Sequence, residues 1–83
     1  MSLEYYKKQM VDLRAKLQKE KDAKKKDNEY YARLVKFAST PSGKASYRKS
    51  KIDRAAYHDR QIDYIKRQIE NCKDNIARER KRK

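Results

Sequence analysis

Apolar residues recur at seven-residue spacing along most of the chain, in two runs separated by a short polar break. Leu3, Met10, Leu17, Lys24, Tyr31 and Ala38 fall seven apart, and Tyr6, Leu13, Glu20, Asp27 and Leu34 form a second row three residues later. Two such rows offset by three are the a and d positions of a coiled-coil helix. After the break, Ile62, Ile69 and Ile76 repeat the spacing, Ile65 and Cys72 follow the first two by three residues, and Ala55 extends the row backwards. This second seam is the cleaner. Its five isoleucines, counting Ile52, make a stiff β-branched surface that suits packing against leucine and methionine.

The break is Ser39-Thr40-Pro41-Ser42-Gly43-Lys44, which holds the only proline and the only glycine of the chain. Pro41 disfavours helical geometry at Thr40, and Gly43 readily takes a positive φ, so the first helix is expected to stop near Ala38. Thr40-Pro41 also reads as an N-cap followed by proline at the first helical position, with Ser42 as an alternative cap. Ser2 caps the first helix, with Glu4 in its first turn. The pattern predicts an all-α fold, one helical-hairpin domain over 1–83. Two long antiparallel helices, about 2–38 and 45–81, flank a turn at about 39–44. Folding back makes facing residues sum to roughly 83, so Tyr31 meets Ile52, Lys24 meets Asp59, Leu13 meets Ile69 or Glu70, and Tyr6 meets Ile76. Glu20, Lys24 and Asp27 interrupt the first seam opposite His58 and Asp59. They form either a solvated waist or a polar layer that fixes register.

Composition limits what such a hairpin can do alone. Charged residues make up 45% of the chain and hydrophobic ones 36%. That balance also suits disorder, which the periodicity opposes. One narrow seam leads us to expect that the hairpin joins a larger helical bundle with a partner, as a hetero-oligomer in preference to a homodimer. The net charge is +13, from 25 Lys plus Arg against 12 Asp plus Glu, which favours an acidic companion. Much of that charge is ordinary helix surface. Eight of the twelve acids have a base four residues later, the favourable orientation for pairs along a helix.

Two basic clusters stand apart. Between Glu29 and Asp53 no acid occurs, while Arg33, Lys36, Lys44, Arg48, Lys49 and Lys51 do, interleaved with Tyr30, Tyr31, Phe37 and Tyr47. In a hairpin this run is the tip, where it can grip phosphates and stack on bases, dock an acidic protein, or simply finish the core. Arg78-Glu79-Arg80-Lys81-Arg82-Lys83 complements the negative end of the last helix. Tyr57 and Tyr64, seven apart, lie beside the isoleucine seam and are candidates for a second contact face.

Catalytic and metal chemistry find no support. His58 and Cys72 are the only residues of their types and lie fourteen apart on one helix, roughly 21 Å along its axis, too far for a nucleophile and its base. They also fall short of a zinc set, and Ser42-Gly43-Lys44 lacks the spacing of a phosphate loop. The chain is expected to be no enzyme and to need no cofactor. No apolar run approaches the roughly 18 residues of a membrane span, and the N-terminus lacks the apolar core of a signal peptide. A cytoplasmic protein is expected, with export alongside a partner left open.

Two helices of near-equal length around a mid-chain turn ending in glycine resemble the small hairpin proteins of the bacterial type VII secretion system, both WXG-type factors and the helical partners of LXG toxins. The resemblance rests on Pro41-Ser42-Gly43, where that family has Trp-x-Gly, and on the Tyr57, Ile62, Ile65, Ile69 row after it. Pro41 takes the place of tryptophan, and Gln61 and Gln68 follow Tyr57 and Tyr64 four residues on, where an export motif would have an acid. The resemblance implies a non-catalytic partner that pairs with a toxin's N-terminal helical domain and helps present it for export. The interface would comprise Tyr57, Ile62, Tyr64, Ile65, Ile69, Cys72, Ile76, Leu13 and Leu17. The basic tip keeps two other readings open: a nucleic-acid-binding hairpin, and a small phage-type inhibitor or adaptor of a nucleic-acid enzyme.

Overall fold

A computed structural model describes residues 3–82, as two helices lying against each other in a rod of 66 × 14 × 12 Å. Helix α1 runs Leu3–Phe37 and α2 runs Pro41–Lys81. The fold is the all-α hairpin that the two seams predict. Ser2 and Lys83, and with them the expected first cap and the Glu79 to Lys83 pair, lie outside the described residues.

The turn is tighter than expected, and glycine does not make it. Thr40 is extended at φ −126° and ψ 151°, its hydroxyl accepts from the Gly43 amide at 3.0 Å, and its carbonyl accepts from the Lys44 amide at 3.0 Å. Pro41 occupies the first helical turn, where its missing N–H costs nothing and its fixed φ suits the helix. So α2 begins at Pro41, about four residues before the expected start. Gly43 has no positive φ and stands inside that first turn. A Cβ there would sit 3.0 Å from the Thr40 hydroxyl oxygen, so what Gly43 supplies is room for the cap. Thr40→Val keeps the side-chain shape but loses the acceptor, and is expected to cost about 0.5–2 kcal/mol in urea unfolding followed by circular dichroism. No loss would mean that Pro41 alone sets the helix start.

The core occupies the half of the rod nearest the termini. Met10 and Leu13 of α1 pack with Ile65, Ile69 and Cys72 of α2, and half-buried Tyr6, Leu17 and Ile76 close the cluster. Cys72, only 2% exposed, donates its thiol proton to the Tyr6 carbonyl at 3.1 Å. That bond ties the last third of α2 to the start of α1. Toward the tip the seam thins. Tyr31, Leu34 and Ala38 are half-buried, and the helix-two positions that face that way carry Lys44 and Lys51 instead of isoleucine. Ile52, expected to face Tyr31, lies largely in solvent. It falls one residue past the seam row through Lys51, Ala55 and His58, and is 68% exposed.

Candidate functional site

Two surfaces and one buried cluster are the candidates for function. The cluster lies where the seam turns polar. Glu20 and Asp27 stand seven apart on α1, two turns that place both carboxylates on one stripe. His58 stands on the row of Ile65 and Cys72, seven residues before Ile65, so its ring enters the seam between them. It is 4% exposed, with Nδ1 2.5 Å from Glu20 Oε1 and Nε2 2.5 Å from Asp27 Oδ2.

The protonation state follows from the partners. Ionised carboxylates only accept, and Asp27 Oδ2 also accepts from Arg54 Nε at 3.2 Å, so Asp27 holds no proton for His58 to accept. A carboxylate on each ring nitrogen suits the imidazolium form, in which both nitrogens donate. Glu20 and Asp27 hold its pKa above the ordinary 6.5 against the opposing cost of burial. Reciprocally, the His58 hydrogen bond, with help from Arg54, holds the Asp27 carboxyl below 3.8, while desolvation opposes it. Lys24 on α1 and Asp59 on α2 add a pair at 2.6 Å, so the layer holds three cations (His58, Arg54, Lys24) against three anions (Glu20, Asp27, Asp59). This is the polar layer, not the solvated waist, and Lys24 meets Asp59 as the register predicts. Among the described residues, no buried side-chain nitrogen or oxygen lacks a hydrogen-bond partner.

A pH dependence follows, with opposite signs for the two groups. His58, with its folded pKa raised, contributes stability that is fully present below 6.5 and is lost as pH rises through the folded value. Asp27, with its folded pKa lowered, contributes stability present above 3.8 and lost as pH falls through its folded value. The layer is therefore strongest between 3.8 and 6.5. Thermal melts are expected to show a lower midpoint at about pH 8.5 than at about pH 5.5, with the difference abolished in His58→Gln. A difference that survives in His58→Gln would place its origin in another group.

With both nitrogens engaged, His58 has no lone pair to offer a substrate or a metal. Among the described residues, no group of three or more His, Cys, Asp or Glu is arranged to hold a metal ion. Sequence reasoning placed His58 opposite the polar waist without seeing that it occupies the seam. Continuing the Ile65 and Cys72 row back by seven, against the Leu13, Glu20, Asp27, Leu34 row, finds it.

The expected interface residues divide in two. Leu13, Ile62, Ile65, Ile69 and Cys72 are buried between the hairpin's own helices, and Leu17 and Ile76 pack at the edge of the same core. In the hairpin these seven are covered by the chain itself, as the facing register of the two seams predicts. Tyr57 and Tyr64 remain exposed, the latter at 59%. Tyr57 rests edge-on against the His58 ring, 5.4 Å between centroids, and Arg54 lies 5.2 Å from the Tyr57 centroid. The buried layer thus touches that tyrosine through His58 and reaches its cation through Asp27. At the tip, Arg33, Leu34, Phe37, Thr40, Gly43 and Tyr47 line a groove of about 430 Å³. Lys36 stands 5.6 Å over the Phe37 ring, while Arg48 and Lys49 are exposed and Lys44 and Lys51 half-buried.

Surface charges pair otherwise than the four-residue pattern predicts. Among the described residues, the ion pairs within a helix are Glu70 with Lys73 at 3.3 Å and Glu79 with Arg82 at 3.6 Å, each three residues apart. Such pairs contribute at most about 1 kcal/mol. No described helix is long and apolar enough to cross a membrane. In comparison with known proteins, the chain matches no family model, no curated protein and no solved structure.

Proposed function

We propose that the chain is a non-catalytic interaction subunit whose Tyr57 and Tyr64 side packs against helices of a partner protein. The resemblance to type VII secretion hairpins makes a toxin-associated, chaperone-like targeting role the specific form of this reading. One observation carries it: the hairpin covers a narrow seam and leaves a row of tyrosines in solvent beside that seam, where a third helix would lie. Arg60 and Arg67 flank Tyr64. With a chain charge of +13, they favour a partner helix with an apolar row bordered by acids.

The test is co-purification and calorimetry with the N-terminal helical domain of an LXG toxin encoded beside this chain. The complex is expected to persist at about 0.5 M salt, where screening acts within a few ångströms, and to be lost in Tyr57→Asp/Tyr64→Asp. Full affinity in that double variant, or dissociation at about 0.5 M salt, counts against the reading.

A further inference from the structure

The tip is the stretch of the hairpin that carries bases and no acid of its own. None of Arg33, Lys36, Lys44, Arg48, Lys49 and Lys51 joins the ion pairs formed among the described residues, and no acid occurs between Glu29 and Asp53 to offer one. Phe37 lies within this field at 76% exposure, with Tyr47 also exposed. Exposed rings keep apolar surface in water, and cations clustered without acids repel one another.

The tip groove brings these features together. Its lining combines half-buried Leu34 and Gly43 with the two exposed rings and the Arg33 guanidinium. Lys36 over Phe37 already shows a cation resting on a ring face there. A peptide of acids alone would neutralise the lysines but offer the rings nothing to stack on. A duplex would keep its bases paired inside and out of reach. A single strand supplies both the charges and the free base faces.

We propose that the hairpin tip binds single-stranded nucleic acid, with a base stacked on Phe37 and Tyr47 and flanking phosphates on Arg33, Arg48 and Lys49. This surface lies apart from Tyr57 and Tyr64, so it stands whether or not a protein docks there. The stacking carries no sequence code, because every base has a π-face. Binding is therefore tolerant of base identity and steep in salt.

Fluorescence anisotropy of the full chain with an oligothymidine of about 15 nucleotides at about 50 mM salt tests this. We expect saturable binding whose log affinity falls against log salt with a slope of about −2 to −3, the value for three or four phosphates on a single strand. Phe37→Ala/Tyr47→Ala is expected to lose about tenfold in affinity with the slope unchanged. Arg48→Ala/Lys49→Ala is expected to flatten the slope. All four positions are exposed, so helicity by circular dichroism should hold in both variants. Four results would overturn the proposal: no binding at about 50 mM salt, unchanged affinity in the ring variant, equal displacement by duplex or polyglutamate, or loss confined to variants of Arg78, Arg80 and Arg82.

Discussion

Ile69→Ala is expected to remove about 2–4 kcal/mol of stability, because it opens a cavity in a core too small to close around it. Ile69 packs within a cluster whose buried members are Met10, Leu13, Ile65, Ile69 and Cys72, with no second layer behind. A chain of this length has about 4–12 kcal/mol in all, and a thin seam belongs at the lower end. The melting temperature should therefore fall by about 10–25 °C in scanning calorimetry. Ile52→Ala makes the control. The same side chain is deleted, but Ile52 is in solvent, and its loss should stay within about 0.5 kcal/mol. Equal costs at the two positions would mean that the isoleucines share one buried face and that this packing is wrong.

That contrast also marks how far the sequence could be read. The rows through Met10 and Leu13 and through Ile62, Ile65 and Ile69 were legible because seven-residue spacing survives any surface composition, and they placed Lys24 against Asp59. Ile52 resembles them in residue type alone, since the row passes through Lys51. At the turn the sequence leaves two readings open, Gly43 ending the first helix or Thr40-Pro41 starting the second, and the structure takes the latter. The Thr40 hydroxyl and Pro41 start the next helix at once, leaving no room for a left-handed cap. For the interface the limit is more general. Periodicity shows which face is buried but not which chain buries it, and here the hairpin buries its own isoleucines. What stayed hidden was the coupling between side chains: an imidazole between two carboxylates seven apart, with a tyrosine on its edge, needs both helices at once.

The second large effect lies in that layer, and its size depends on which group is removed. Asp27→Leu leaves the His58 Nε2–H facing an alkyl group in a site where the ring is 4% exposed, out of reach of water. An orphaned donor on a buried cation costs about 1–3 kcal/mol. It also frees Arg54, which rests on Asp27 and on the Tyr57 ring, so the exposed tyrosine loses its support. His58→Leu should cost less. The carboxylates it abandons are 24% and 30% exposed and can rehydrate, and Asp27 keeps Arg54. The triple replacement Glu20→Leu/Asp27→Leu/His58→Leu extends the apolar seam, and by the behaviour of buried ion clusters should be neutral or stabilising by about 1–4 kcal/mol. It would also remove the fall in stability above 6.5. If the layer fixes register, the price appears elsewhere: an all-apolar seam tolerates slippage and other oligomers, visible as mass heterogeneity by light scattering. A triple variant that melts higher yet stays one species of one mass would show that the Met10 to Cys72 core sets the register alone, and that the charges at His58 serve the Tyr57 surface instead.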